Sequence, residues 1–350
     1  MNHHKLNHHA PIIITSTKDN QGSKVVNFGP LTIAMNHGRK LVPATLPFVF
    51  TSQHVEILMD IIAGERVLLT GHTGCGKTTS LEQIAARIGM GLIVLNMSDG
   101  TDASTLIGSY VARKVDKKDI TSSTVFIDGP LVQAMKEGHW VIIDEMDFAQ
   151  PGIMTILNGL TSESKTFINH EIAGTETIQI HPDFRLMGTA NTVGPMSDFR
   201  YLYSGTPPMN PAQLERYRVH VIDYLPKSSE IHAVLEGAKS KLAQISINES
   251  HVSKETVAPF VEVGRMIREM FIQGEISTPV STRGLIHWVA ITVRNLAIYP
   301  IEGDPASLIG VIINAAGPAM LNKMSSADAL RVIEVIMATN NFKTLLAQTK

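Results

Sequence analysis

The stretch from Arg66 to Thr79 constrains this chain more than any other. Arg66 to Thr70 is a short apolar run of strand-forming residues, and Ser80 to Ile88 carries a helical pattern. Between them, Gly71-His72-Thr73-Gly74-Cys75-Gly76-Lys77-Thr78 sets four free positions between two glycines and follows the second with Lys-Thr. Glycines let backbone N–H groups converge on phosphate oxygens, and the following helix aims its positive end at them. Lys77 is expected to reach the β- and γ-phosphates of a nucleotide and Thr78 to offer its hydroxyl to Mg²⁺. Gly71 to Thr79 together form the cradle. Such an octapeptide also occurs by chance. Placed between a strand and a helix, it predicts a nucleotide-binding βαβ layer.

A partner motif is expected downstream. Trp140 to Ile143 reads as a buried strand, and Asp144-Glu145 close its carboxyl end, where open α/β sheets place their chemistry. Asp144 is expected to hold Mg²⁺ through its water shell, and Glu145 to act as general base on the attacking water. Asp147 bonds within the following turn or faces a neighbouring subunit. Phe184 to Ala190 is a further strand, ended by Asn191, whose amide is placed to orient water or sense the γ-phosphate; Thr189 is a weaker candidate. Arg216 and Arg218 precede a strand over Val219 to Asp223 and are expected close to the active edge of the sheet. A guanidinium there either completes the γ-phosphate site of a neighbouring subunit or forms a surface ion pair.

Composition narrows the class. The 350 residues suffice for two domains, with 30 basic and 32 acidic side chains giving a net charge of −2. That balance gives no pull toward nucleic acid or anionic lipid, so a nucleic-acid motor is disfavoured. Charged residues are only 18% of the chain, which leaves much uncharged surface for contacts between subunits. Cys75 is the single cysteine, so no intrachain disulfide forms. It reads as a small residue in a tight turn, with redox sensitivity at a helix N-terminus as the alternative. Met1 to Ala10 is polar, with His3, His4, His8 and His9 forming a tail or binding a metal. No secretory segment opens the chain, and a cytoplasmic location is expected. The longest uncharged run, Pro305 to Asn322, contains Asn314, Gly317 and Pro318 and reads as a buried helix, not a membrane span.

Taken in order, residues 1–40 read as a loosely attached arm or small hairpin. Ser52 to Ile62 is a helix with Ser52 as its cap, and His54 or Ile57 either touches adenine or serves the core. Gly91 to Asn96 is the second strand, and Asp99, Asp102 and Ser104 lie near a helix start. Lys114, Lys117 and Lys118 lie in an exposed turn or a partner-facing loop, before Ser122 to Ile127 and a helix over Leu131 to Glu137. A hairpin with a turn near Gly174 spans Ser164 to Ile180, and Gly194 to Pro211 is a long loop with a job to do. A boundary near Pro226 separates an α/β domain over 41–226 from a helical region over 227–350. Helices are expected over 230–243, 254–273, 282–297, 305–321 and 327–342, with Ser228-Ser229, Ser253 and Ser281 as caps of the first three. Leu285, Trp288, Val289 and Val293 share one apolar stripe. Arg283, in the first turn of its helix, opposes the helix dipole, a placement that makes sense if it points at phosphate.

These motifs together resemble an AAA+ ATPase of the MoxR-like branch, most of all the ATPase subunit of aerobic cobaltochelatases (the CobS type). The resemblance runs over about residues 42–300. It rests also on Val42-Pro43 with Phe48 to Phe50, Glu82 to Arg87, Phe184-Arg185-Leu186 with Thr189 to Gly194, Tyr203 to Thr206, and Tyr224-Leu225-Pro226. It implies an α/β fold, a P-loop core with a parallel sheet followed by an all-helical lid. Gly71 to Thr78 then takes the Walker A position, Asp144-Glu145 Walker B, Asn191 sensor 1, Arg216 the arginine finger acting in trans, and Arg283 sensor 2. The segments around 110–128 and 164–180 correspond to inserts that face a pore or client. The family implies hexameric rings, Mg²⁺-dependent ATP hydrolysis, and remodelling of a partner, often one with a von Willebrand factor A domain. Service to a cobalt or magnesium chelatase is the alternative; a nucleic-acid motor or a nucleotide-gated scaffold is a further one. Glu215 and Tyr217 stand where chelatase subunits carry Asp and Trp beside the finger, and Cys75 replaces a commoner small residue.

Overall fold

A computed structural model describes residues 11–19, 23–36, 38–98, 100–114, 122–160, 163–172, 175–193, 196, 209–248, 252–299, 305–339 and 342. The histidine tail, Asp99, Lys117, Lys118, Gly174 and most of the loop over 194–211, Tyr203 to Thr206 included, lie outside the described residues. The chain forms two compact units: 1–46, 50–71 and 77–222 make the first, and 47–49, 72–76 and 223–350 the second.

The first unit opens with an antiparallel sheet of β1 (Ile14–Lys18), β2 (Lys24–Phe28) and β3 (Leu31–Ala34), with β2 in the middle. The expected loose arm or small hairpin is therefore corrected to a three-stranded sheet. Its β2 alternates Val26 and Phe28 inward, both buried, and the chain after β3 is pinned where Asn36 N donates to Ile88 O at 2.9 Å. Next comes α1 (Ser52–Ile62), whose cap is Thr51 and not Ser52: Thr51 takes the extended backbone and closes a capping box with His54.

His54 is core, not a ligand face. Its Nδ1 accepts from Thr51 N at 3.0 Å, and its Nε2 lies 3.1 Å from Ser80 Oγ. Burial lowers its pKa from 6.5 to about 4. The unfolded chain therefore takes up this proton first. The stabilisation is whole above about pH 6.5 and is lost as pH falls toward about 4, by roughly 3 kcal/mol in all. Denaturant titrations from pH 7 to 4 are expected to show this acid loss shrinking in His54→Asn. Identical pH slopes in the two proteins would refute it.

The central layer is built by β4 (Val67–Thr70), α2 (Lys77–Ile88), β5 (Leu92–Asn96), α3 (Ala103–Ile107), the hairpin β6 (Gly108–Lys114) and β7 (Ser122–Asp128), α4 (Pro130–Glu137), β8 (Trp140–Asp144) and α5 (Pro151–Gly159). It is completed by the hairpin β9 (Thr166–Asn169) and β10 (Glu176–Gln179), then β11 (Arg185–Ala190), α6 (Pro211–Leu214) and β12 (Arg218–Val221). Five strands pair in the order β12-β4-β11-β8-β5, all parallel. Val67 to Leu69 and Val141 to Ile143 are fully buried, as central strands covered on both faces require. The register decides the chemistry: Ala190 pairs with Thr70, and Asn96 with Asp144, so the ends of β4, β11 and β8 finish side by side.

The second unit carries α7 (Lys227–Gln244), α8 (Lys254–Ile272), α9 (Thr282–Ile298), α10 (Pro305–Ala319) and α11 (Ser326–Ala338). Ser253 and Ser281 cap α8 and α9, accepting from Thr256 N and Gly284 N. Ser228 and Ser229 cap nothing: α7 begins earlier, with Pro226 at its cap. Leu285, Trp288, Val289 and Val293 are buried, and Phe260 meets Trp288 and Phe342 edge-on at 4.6 and 5.0 Å. Among the described residues, no helix is long and apolar enough to cross a membrane, and no group of three metal-binding side chains occurs.

Candidate active site

The site grows from the strand ends. The chain leaves β4 at Thr70 and re-enters regular structure at Lys77, the first residue of α2, so the glycine-rich loop ends on a helix N-terminus. Lys77 is buried, and its Nζ donates to Gly71 O and to Asn191 Oδ1, each at 2.8 Å. Thr78 Oγ1 donates to Asp144 Oδ1 at 2.6 Å. Lys77, Thr78, Asp144 and Asn191 are thus joined pairwise across three adjacent strands. A hydroxyl and a carboxylate side by side are hard oxygen donors of the kind Mg²⁺ takes, so the donor set fits that ion.

Glu145 follows Asp144 and is exposed beside this cluster. Its backbone sits at φ 54°, ψ 46°, a left-handed conformation that costs a non-glycine residue about 1 kcal/mol or more. Surrounding bonds impose it: Glu145 N donates to Thr189 Oγ1 at 3.1 Å, and Phe148 N donates to Glu145 O at 2.9 Å. Partial burial, then the charges of Asp144 and Asp147, push its carboxyl above the usual glutamate range, with Lys77 acting the other way.

Two residues carry more than their sequence suggested. Thr189 Oγ1 donates to Asp144 Oδ1 at 2.5 Å while accepting from Glu145 N, so one hydroxyl fixes both acidic positions. Asp147 is buried and does not bond within its own turn. Its Oδ2 accepts from Asn191 N at 2.9 Å, Thr192 N at 3.1 Å and Thr192 Oγ1 at 2.8 Å, and so holds the turn that presents Asn191. Both bonds link positions more than 40 residues apart, and only the β8–β11 pairing reveals them.

The loop residues His72 to Gly76 fall in the second unit. His72 stacks on Tyr224 with ring planes 3° apart, and Tyr224 Oη donates to Thr73 O at 2.8 Å. Arg268 lies 3.9 Å from the Tyr224 ring centroid and forks onto buried Glu230 at 2.7 and 2.9 Å. Gly74 has no substitute: at φ +76°, a Cβ there would lie 2.1 Å from Ser281 Cβ. Cys75 is half-buried. Arg283 is exposed in the first turn of α9, next to Thr282, whose hydroxyl donates to Glu230 at 2.8 Å.

Arg216 and Arg218 are not at the active edge of the sheet as expected: Arg218 pairs with Val67, at the opposite end of β4 from Thr70 and the phosphate loop. Both are exposed; Arg216 Nη1 donates to Asn158 O at 2.7 Å, whereas Arg218 pairs with Glu65 at 3.4 Å. The resemblance placed the finger at Arg216, with Arg218 two residues on as the competing cation; the structure gives only Arg218 a carboxylate among the described residues.

A parallel sheet with a phosphate loop, and a strand-end acid pair beside an Asn-bearing strand, defines a P-loop nucleotide-binding protein. The model of the AAA domain of the dynein-related subfamily matches residues 66–203, and that of the CbbQ/NirQ/NorQ C-terminal domain matches residues 243–298. The aerobic cobaltochelatase subunit CobS of a Sinorhizobium species is 32% identical over 286 residues, covering 80% of this chain and 77% of that protein. An uncharacterised protein of Staphylococcus haemolyticus is 31% identical over 63% of this chain and 76% of its own length. Midasin of Giardia intestinalis is 36% identical over 37% of this chain but only 2% of its own length. The chain belongs to the AAA+ ATPases, in the MoxR-like branch that includes CobS.

Proposed function

We propose that this chain hydrolyses ATP with Mg²⁺, assembles into a ring, and uses the cycle to remodel or activate a partner protein. The carrying observation is the pair of bonds Lys77–Asn191 and Thr78–Asp144, which bring loop, acid strand and sensor strand to one point. When bound, ATP supplies the phosphoanhydride and Mg²⁺ the charge that screens it. The chain's own residues do the rest. The loop from Gly71 to Thr79 cradles phosphate, Lys77 offsets its charge, and Thr78 and Asp144 hold the ion. Glu145 takes a proton from water and Asn191 orients that water. Arg216 of a neighbouring subunit stabilises charge in the transition state, and Arg283 is assigned to the phosphates of its own subunit.

The ring is read as a hexamer, and the partner as a protein carrying a von Willebrand factor A domain or another client protein. The identity to CobS over most of both chains supports a second reading, service as the ATPase subunit of a metal chelatase. Phosphate release per subunit, measured with and without Mg²⁺ at rising protein concentration, is expected to need the ion and to increase as subunits meet. A specific activity that stays constant under dilution would overturn the shared site. Co-purification with a large chelatase subunit in place of a client would select the second reading.

A further inference from the structure

Arg66 is a buried cation for which the hydrolytic chemistry has no use. It is 4% exposed and lies one residue before β4. Its guanidinium sits 4.3 Å from the Tyr217 ring centroid, and its Nη2 donates to Tyr217 Oη and, at 2.8 Å, to Leu157 O in the last turn of α5. Its Nε and Nη1 have no hydrogen-bond partner among the described residues. Among the described residues no carboxylate pairs with it. A buried charge held by a ring and two neutral oxygens is poor value for stability alone.

What it touches is the segment bearing the proposed finger. Of residues 215–219 only Tyr217 is buried, so its anchored ring is the fixed point of a segment whose exposed neighbours include Arg216. Arg66 clamps Tyr217 from the ring face and the hydroxyl together. Its backbone O also accepts from Arg218 N at 2.7 Å. The side chain of Arg216 rests on Asn158 O, one residue beyond the Leu157 carbonyl that Arg66 holds. One guanidinium thus ties the entry of the phosphate-loop strand, the end of α5 and the finger segment together.

We propose that Arg66 is a positioning residue that fixes Arg216 for the active site of the neighbouring subunit. The proposal rests on the reading of Arg216 as a finger acting in trans. Lysine lacks the guanidinium that lies over the Tyr217 ring, and methionine removes the buried charge while keeping apolar bulk.

The test uses mixed rings of the full chain. Arg66→Met is expected to fold with unchanged ATP affinity and to lose turnover by about tenfold or more, a fraction of what a finger supplies. Mixed with Glu145→Gln, which keeps its own Arg66 and Arg216, it is expected to regain activity at sites where its intact Glu145 meets the other chain's finger. Arg216→Ala mixed with Glu145→Gln is the control. If the control recovers and the Arg66→Met mixture does not, Arg66 acts within its own site and the proposal fails. If the control itself does not recover, the trans finger is wrong and this proposal falls with it. Should Arg66→Met not fold, Tyr217→Phe, which keeps the ring and drops the hydroxyl, carries the same mixing test with the same two outcomes.

Discussion

Glu145→Gln is expected to leave ATP bound and to remove its hydrolysis, with turnover falling about 10²- to 10⁴-fold. The side chain keeps its size, and the left-handed backbone at φ 54° is held by Thr189 and Phe148, not by the carboxylate. Lys77, Thr78, Asp144 and Asn191 keep their mutual bonds, so nucleotide affinity has no reason to fall. What disappears is the proton acceptor proposed for the attacking water. Because Asp144, Asp147 and partial burial raise the Glu145 carboxyl, the acid limb of the wild-type rate profile should lie above the usual glutamate range. The sign follows from a base that works only when deprotonated: raising its pKa moves the loss of activity to higher pH. Single-turnover phosphate release from pH 4 to 8, alongside nucleotide binding by filter assay, measures both effects. Normal turnover in the Glu145→Gln protein would remove Glu145 from the chemistry.

Arg216→Ala is expected to cost about 10³-fold in turnover, the lower end of what an arginine finger contributes, with ATP binding intact. The contrast with Arg218→Ala makes this decisive. Arg218 is exposed and already paired with Glu65, an arrangement worth about 1 kcal/mol or less. Losing it should leave turnover within a few-fold of wild type. Steady-state rates for the two variants, each at saturating ATP, separate the roles. If Arg218→Ala is the silent enzyme and Arg216→Ala the active one, the finger has been assigned to the wrong arginine.

The reach of the sequence can be judged from particular residues. Local patterns carried the phosphate loop, because Gly71, Gly74, Gly76 and Lys77 answer constraints within eight positions. The apolar strand ending in Asp144-Glu145 and the stripe from Leu285 to Val293 were equally local. The same limit explains the misses. Ser52 and Thr51 are both good caps by type, and only the backbone turn at Thr51 separates them. The strands near the N-terminus are only four or five residues long and β1 is nearly all exposed, so their β-branched residues marked a small hairpin at most and not the pairing of three strands.

By itself, then, the amino-acid order determined a nucleotide loop, an acid-ended strand and a helical C-terminal region, since each is encoded by neighbours in the chain. The tertiary structure alone decided which groups share an atom. Thr189 bridging Asp144 and Glu145, Asp147 holding the Asn191 turn, and Arg66 clamping Tyr217 all join residues that are distant in sequence. Strand order and register bring them within hydrogen-bonding distance, and that register is set by packing over the whole sheet and not by any one stretch.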